Sequence, residues 1–222
     1  MSTASNQHDA WAFGQAADQW FDRNTAVVDP ASLDTRPVGV FASHLKPGQH
    51  VLEIGCANGH QLERLRRRTG SVGSGIDPSA RAIADGASRF PELILKVGTA
   101  DELAFADASF DAVILGFCCY LIDRRRLHRV VAEVDRVLKP DGLLMITDFD
   151  PEYPHRRAFA HQPGLWSYKM QYPQLWLASS AYTLVEKISF SLDAPEFHSD
   201  PDKRVASWVL AKHDEGALPI RG

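Results

Sequence analysis

The sequence of 222 residues predicts an α/β fold: a doubly wound, mostly parallel sheet of seven strands, the last antiparallel, with an insertion after strand five. Three observations predict it. Up to residue 148 the hydrophobic pattern switches repeatedly between strand-like and helix-like periods. A compact apolar segment, His50 to Gly55, runs directly into a glycine-bearing turn and then a helical pattern. Two late segments, Thr183–Ser191 and Arg204–Lys212, have period-two polarity and read as an antiparallel edge hairpin joined around Asp200-Pro201-Asp202.

Each element has its own signal. Residues 10–26 are rich in Ala, Gln and Trp and read as a helix; Pro37–Leu45 is a short amphipathic stretch stopped by Lys46-Pro47-Gly48. Gln61–Thr69 is helical, with Leu62 and Leu65 inward and Gly70 ending it. Val72–Asp77 and Leu93–Val97 are strand-like, and Pro78 suits the first turn of the helix between them. Phe110–Phe117 is almost wholly apolar, as expected of a central strand buried on both faces. Leu127, Val130, Val131, Val134, Val137 and Leu138 share one face of a helix that Lys139-Pro140-Asp141-Gly142 terminates. Leu143–Thr147 is the fifth strand. The expected organisation is one domain over 1–222: an N-terminal helical cap (1–48), a core (49–148), a lid (149–182) and the edge hairpin (183–213).

Composition narrows the partners. With 24 basic against 28 acidic residues, the net charge of −4 argues against a general nucleic-acid binder. The start, MSTASNQHDA, has neither a basic nor an apolar region, so no signal peptide is expected. The uncharged run Ala112–Ile122 falls well short of the ~18 residues of a membrane span. Three cysteines, two of them the neighbours Cys118 and Cys119, form neither a disulfide framework nor a metal motif. A cytoplasmic protein with reduced thiols, no metal, no membrane and no nucleic acid is the expectation; oligomeric state is left open.

The strongest motif is Val51-Leu52-Glu53-Ile54-Gly55-Cys56-Ala57-Asn58-Gly59. Glycines at the turn let the backbone approach a ligand, and the helix N-terminus adds a positive dipole end. The spacing is not the G-x-G-x-x-G of dinucleotide binding, which counts against a nicotinamide-dependent oxidoreductase. VLEIGCANG resembles the first motif of the class I S-adenosylmethionine-dependent methyltransferases, of the type 11-like kind, with their Rossmann-like fold. Gly75-Ile76-Asp77-Pro78-Ser79 resembles the family's second-strand end, whose acid binds the ribose hydroxyls. Val97-Gly98-Thr99-Ala100-Asp101 resembles the adenine loop, and Arg136–Gly142 resembles the helix end before strand five. Where many relatives have Asp, this chain has Thr99, so the adenine contact falls to Thr99 or Asp101. The resemblance implies S-adenosyl-L-methionine as cofactor, held by Glu53, Gly55, Cys56, Ala57, Asn58, Gly59, Asp77, Pro78, Thr99, Ala100, Asp101, Gly116, Phe117 and Cys118. Retention of Glu53, Gly55, Gly59 and Asp77 together speaks against an inert binding module.

The acceptor is expected at the carboxyl rim of the sheet. Cys118, Cys119 and Tyr120 follow strand four; the thiols are expected to pack, Tyr120 to wall the acceptor pocket. Residues 149–182 hold eight of the chain's 21 aromatics. Arg156, Arg157 and Lys169 outnumber Asp150 and Glu152 there, so a lid over an acceptor with an anionic group and apolar surface is expected. Phe149, Phe159 and Trp176 read equally well as a small satellite core. Trp20, Arg23, Arg156, Tyr168, Lys169 and Tyr172 complete the expected acceptor contacts. His161, with His155 as the other choice, is the expected base for a hydroxyl acceptor, and Asp148 a base or its orienter. Arg66–Arg68 and Arg124–Arg126 read as solvated helix faces. The function expected is methyl transfer to a small molecule or peptide, with oxygen favoured and carbon or nitrogen open.

Overall fold

A computed structural model of the chain describes residues 14–25, 36–191, 194 and 196–213. Residues 1–13, on which the signal-peptide expectation rests, lie outside them, as does part of the first expected helix. The helices are α1 (Gln15–Arg23), α2 (Arg36–Ala42), α3 (His60–Thr69), α4 (Ala80–Arg89), α5 (Leu127–Val137) and the single turn α6 (Gln174–Leu177). The strands are β1 (His50–Ile54), β2 (Val72–Asp77), β3 (Ile94–Val97), β4 (Phe110–Gly116), β5 (Leu138–Phe149), β6 (His155–Ala158), β7 (Trp166–Lys169), β8 (Tyr182–Ser191) and β9 (Arg204–Lys212). No helix among the described residues is long and apolar enough to cross a membrane.

Seven strands form one sheet in the order β3-β2-β1-β4-β5-β9-β8. Strands β1 to β5 pair in parallel, and β9 runs antiparallel to both neighbours. The sheet order reverses between β1 and β4, which opens a crevice at their carboxyl ends. Each face is covered. Leu52, Ile54, Val113, Leu115 and Ile146 pack with Val130 and Val134 of α5 on one side. Val51, Ala112, Ile114 and Met145 pack with Phe41 of α2 and Leu62 of α3 on the other.

The structure amends three expectations. The late hairpin exists, but β9 sits inside the sheet and only β8 is an edge. Val205 to Leu210 are all buried, so this run is continuously apolar in environment and belongs to a central strand; β8 keeps exposed Leu184 and Val185. Strand β5 begins at Leu138, directly after α5, and pairs first with Phe110. A register shift follows, where the expected Lys139–Gly142 turn bulges out with Asp141 at φ 61°. The third is the two-stranded β6–β7 ribbon within the insertion. Four prolines obscure it in sequence, yet all lie outside its strands. Phe149 and Trp176 join the main core rather than a satellite one, and Phe159 packs against it.

Two contacts fix the site's frame. Asp18 of α1 accepts the Ser79 hydroxyl at 2.6 Å and the Arg81 N–H at 3.1 Å, docking the N-terminal cap on the start of α4. Gly86 of α4 lies so close to the turn after β1 that a Cβ there would sit 2.2 Å from the Asn58 carbonyl oxygen. Alanine is normally worth about 1 kcal/mol over glycine inside a helix. Gly86→Ala should instead lower the melting temperature, because the turn must shift. A rise in melting temperature, read by calorimetry, would show that the helix does not press on the turn.

Candidate active site

The turn after β1 is built by backbone. The N–H groups of Gly55 and Cys56 donate to the Ile76 carbonyl at 2.9 and 3.1 Å, stitching the turn to β2. Gly55 has φ 75°, and a Cβ on it would lie 2.5 Å from the Cys118 Cβ. The glycine is therefore demanded by the loop after β4 as well as by backbone conformation. Cys118 completes the contact by directing its Sγ at the Ile54 carbonyl, 3.3 Å away. Gly59, at φ 78°, caps α3.

These turns border a cavity of about 670 Å³ along the carboxyl rim of the sheet, inside the roughly 300–1,000 Å³ typical of small-molecule sites. Glu53, Gly55, Cys56, Ala57, Asp77 and Pro78 line it from β1 and β2. Thr99, Ala100 and Asp101 line it from the loop after β3. Gly116, Phe117, Cys118 and Tyr120 line it from the end of β4, and Trp20 and His161 reach it from α1 and the β6–β7 loop.

Eight expected residues lie off the cavity wall. Asn58 is fully buried, bonding Asp85 at 2.8 Å and the His60 backbone N–H at 3.2 Å. Gly59 faces Leu93 and Leu95 in the core. Arg23 points to solvent at the end of α1. Asp148 is fully buried behind the wall. Arg156 is exposed and stacks on Trp166 at 4.3 Å, because alternation along β6 turns it outward. Tyr168, its cross-strand partner, lies under Arg124. Lys169 is buried, its Nζ 3.9 Å from the Phe149 ring centre. Tyr172 is buried and donates to the Tyr168 carbonyl at 2.6 Å.

Burial without counter-charge dominates the electrostatics. Glu53 is 5% exposed, its Oε2 has no hydrogen-bond partner, and burial together with nearby Asp77 pushes its carboxyl up to about 8. Burial also pushes Asp77 up to about 6, although the Ala57 and Ser79 N–H groups, at 2.9 and 2.8 Å, oppose this. Asp148 rises to about 7 by burial. Its Oδ1 accepts the Phe149 N–H at 2.8 Å. The Cys119 and Tyr120 N–H groups face the carboxylate, yet Oδ2 makes no hydrogen bond of good geometry. Burial raises the Tyr120 phenol and lowers the Lys169 ammonium.

Arg126, Thr147, Phe190 and Val205 are among the wall residues that sequence reasoning passed over. Arg126 is not a solvated helix residue; it reaches Asp101 at 3.0 Å. Its position just before α5, beyond the carboxyl end of β4, was the available signal. Phe190 and Val205 have none in sequence, because only strand pairing brings them to the rim.

Ionising Glu53 in the ligand-free protein is costly, so its raised value makes stability fall as pH rises through about 8. Glu53→Gln should therefore stabilise the ligand-free protein by about 2–3 kcal/mol above pH 8 and by little near pH 4. Melting curves across pH test this; a pH-flat difference would refute the uncompensated charge.

Known proteins resemble this arrangement. A family model described as a methyltransferase domain matches residues 51–142. A demethylmenaquinone methyltransferase of Tropheryma whipplei is 26% identical over 187 residues, covering 75% of this chain and 73% of that protein. An uncharacterised methyltransferase of Synechocystis is 27% identical over 122 residues, which is 55% of this chain and about half (52%) of that protein's length. The solved 1,6-didemethyltoxoflavin-N1-methyltransferase of Burkholderia thailandensis, bound to 1,6-didemethyltoxoflavin and S-adenosylhomocysteine, shares the fold at a TM-score of 0.74 and 19% identity, covering 96% of this chain and 92% of that one. The glycine turn, the second-strand acid and the sheet order thus stand together in a chain whose residues 51–142 match a methyltransferase domain and whose fold is that of solved S-adenosylmethionine-dependent methyltransferases.

Proposed function

We propose that the protein transfers the methyl group of S-adenosylmethionine to an oxygen of a small-molecule acceptor. One observation carries the reading: two carboxyl groups, Glu53 and Asp77, line the cavity beside the glycine turn with no cation among the described residues to neutralise them. A ligand that brings positive charge and hydroxyl donors fits them; a nicotinamide dinucleotide, with its anionic pyrophosphate, does not. In this reading Asp77 accepts the ribose hydroxyls while keeping its two backbone bonds. Glu53 offers its unpartnered Oε2, and Gly55 and Gly116 present backbone to the cavity. Thr99, Ala100 and Asp101 border the base, and since Asp101 is held by Arg126, Thr99 is the freer choice for its amino group. Bound there, the cofactor supplies an electrophilic methyl group.

The chain then has to hold the acceptor in line and exclude water. Tyr120, Phe117 and Leu121 wall the space beyond Cys118. His161, which the β6–β7 loop brings to the cavity wall, is the base that takes the acceptor's hydroxyl proton. Asp148, shut behind the wall, serves by orienting the Cys119–Tyr120 turn. The demethylmenaquinone methyltransferase among the relatives supports a small-molecule acceptor.

Calorimetric titration with S-adenosylhomocysteine and with NADH tests the cofactor. S-adenosylhomocysteine should bind and NADH should not; the reverse would replace the reading with a dinucleotide enzyme. Asp77→Ala should weaken S-adenosylhomocysteine binding by about ten- to a hundredfold, the loss of charge-assisted bonds worth about 1.5–3 kcal/mol. Binding of S-adenosylmethionine favours ionised Glu53 and Asp77, so its affinity should increase with pH between about 6 and about 8. Once an acceptor is in hand, His161→Ala should cost about a hundredfold in kcat at neutral pH and recover partly as pH rises. A small, pH-flat loss would mean an acceptor that needs no base.

A further inference from the structure

The anionic acceptor suggested by the lid's cations does not match where the structure puts them. The cavity runs laterally along the sheet rim, and sheet order divides it. Glu53 to Pro78 and Gly98 to Asp101 border the half over β1, β2 and β3. The other half lies over β4, β5, β9 and β8. Its wall is Phe117, Tyr120, Leu121, Thr147, Phe190 and Val205. Phe190 and Val205 are cross-strand partners near the carboxyl end of β8 and the start of β9, and both are buried in the closed core beside Phe149.

The charged groups that line this half, Asp123 and Arg126, are both held in ion pairs. Arg156 points outward onto Trp166, and Lys169 is stacked beneath the wall on Phe149. Arg126 is the sole lysine or arginine on the cavity wall among the described residues, and it is ion-paired with Asp101 at 3.0 Å. The remaining wall charges are acidic: Glu53 and Asp77, and Asp123, which is held by Arg125 at 2.5 Å. The Thr147 hydroxyl is engaged with Ser207 at 2.8 Å. An acceptor carboxylate or phosphate would give up its hydration without a cation to receive it, in the field of two carboxyl groups.

Building on the methyltransferase reading, we infer that the acceptor half of the cavity takes an uncharged, largely apolar ring, and that Phe190 and Val205 set this specificity. The ring lies against Phe117, Tyr120, Phe190 and Val205, where aromatic faces favour offset or edge-on packing. Its one polar requirement is the reacting hydroxyl, facing the methyl position and His161.

Matched probes test the inference. Wild-type protein saturated with S-adenosylhomocysteine is titrated with 4-phenylphenol, 4-phenylbenzoate and 4-phenylbenzylamine, which share one ring system and differ in charge. The phenol should bind at least tenfold tighter than either charged probe. Phe190→Ala should weaken the phenol about tenfold, and Val205→Lys should shift preference toward the benzoate about tenfold. Neither should change S-adenosylhomocysteine affinity more than about twofold. Equal or tighter binding of the benzoate by wild type overturns the inference, as does failure of all three probes, or indifference of the phenol to a folded Phe190→Ala. Failure of S-adenosylhomocysteine itself to bind would instead overturn the methyltransferase reading beneath it.

Discussion

The contact on which the rest of the site depends is the one between the turn after β1 and its two neighbours. On one side Gly55 meets Cys118, where a Cβ would be 2.5 Å from its Cβ. On the other, the Asn58 carbonyl meets Gly86, where a Cβ would be 2.2 Å away. The turn is thus clamped between the loop after β4 and the helix after β2. Packed interiors transmit small shifts instead of absorbing them. The clamp therefore sets the spacing between Asp77, Glu53 and the end of β4, and with it the shape of the cavity.

Within that frame the molecule holds two carboxyl groups where water cannot easily solvate them. Of the other buried acids, Asp148 also keeps one oxygen unbonded, behind the cavity wall, whereas Asp150 and Glu63 are satisfied by the chain. Asp150 receives Gln171, Lys187 and Ser189 at 2.9 to 3.0 Å, tying the end of β5 to β8. Glu63 is held by Arg66 and Arg67, which lower its carboxyl. The contrast separates a structural acid, neutralised by its own chain, from Glu53 and Asp77, which are left for a ligand to complete.

The insertion after β5 does its work through its hidden face. Strand β7 lies against the 3-10 turn Cys119–Leu121, and Lys169 covers Phe149, which contacts both Phe117 and Tyr120 with ring centres 5.0 and 5.3 Å apart. The cation supports the aromatic wall from behind, a favourable arrangement for an ammonium that cannot reach water fully. The loop of the same ribbon delivers His161 to the cavity. One short hairpin thereby braces the wall and supplies its titratable group.

Sequence alone determined the parallel core and most of the cavity wall over β1, β2 and β3. Their signals are local: apolar runs bounded by turns, a glycine turn between strand and helix, an acid at the end of Val72–Asp77. Each element's environment follows from its own residues, so reading them in order suffices. Only the tertiary structure decided the cavity wall over β4, β5, β9 and β8. Strand β9 entered the sheet between β5 and β8 because its buried run, Val205 to Leu210, needs both faces covered; this brought Val205 and Phe190 to the rim. The ribbon's alternation sent Arg156 outward and Lys169 inward, away from the cavity their charges had suggested. Arg126 was placed by the geometry of a strand end and held by Asp101 from another loop. Local pattern specifies which face of an element is apolar, but which cavity a side chain enters depends on pairings between residues far apart in the chain.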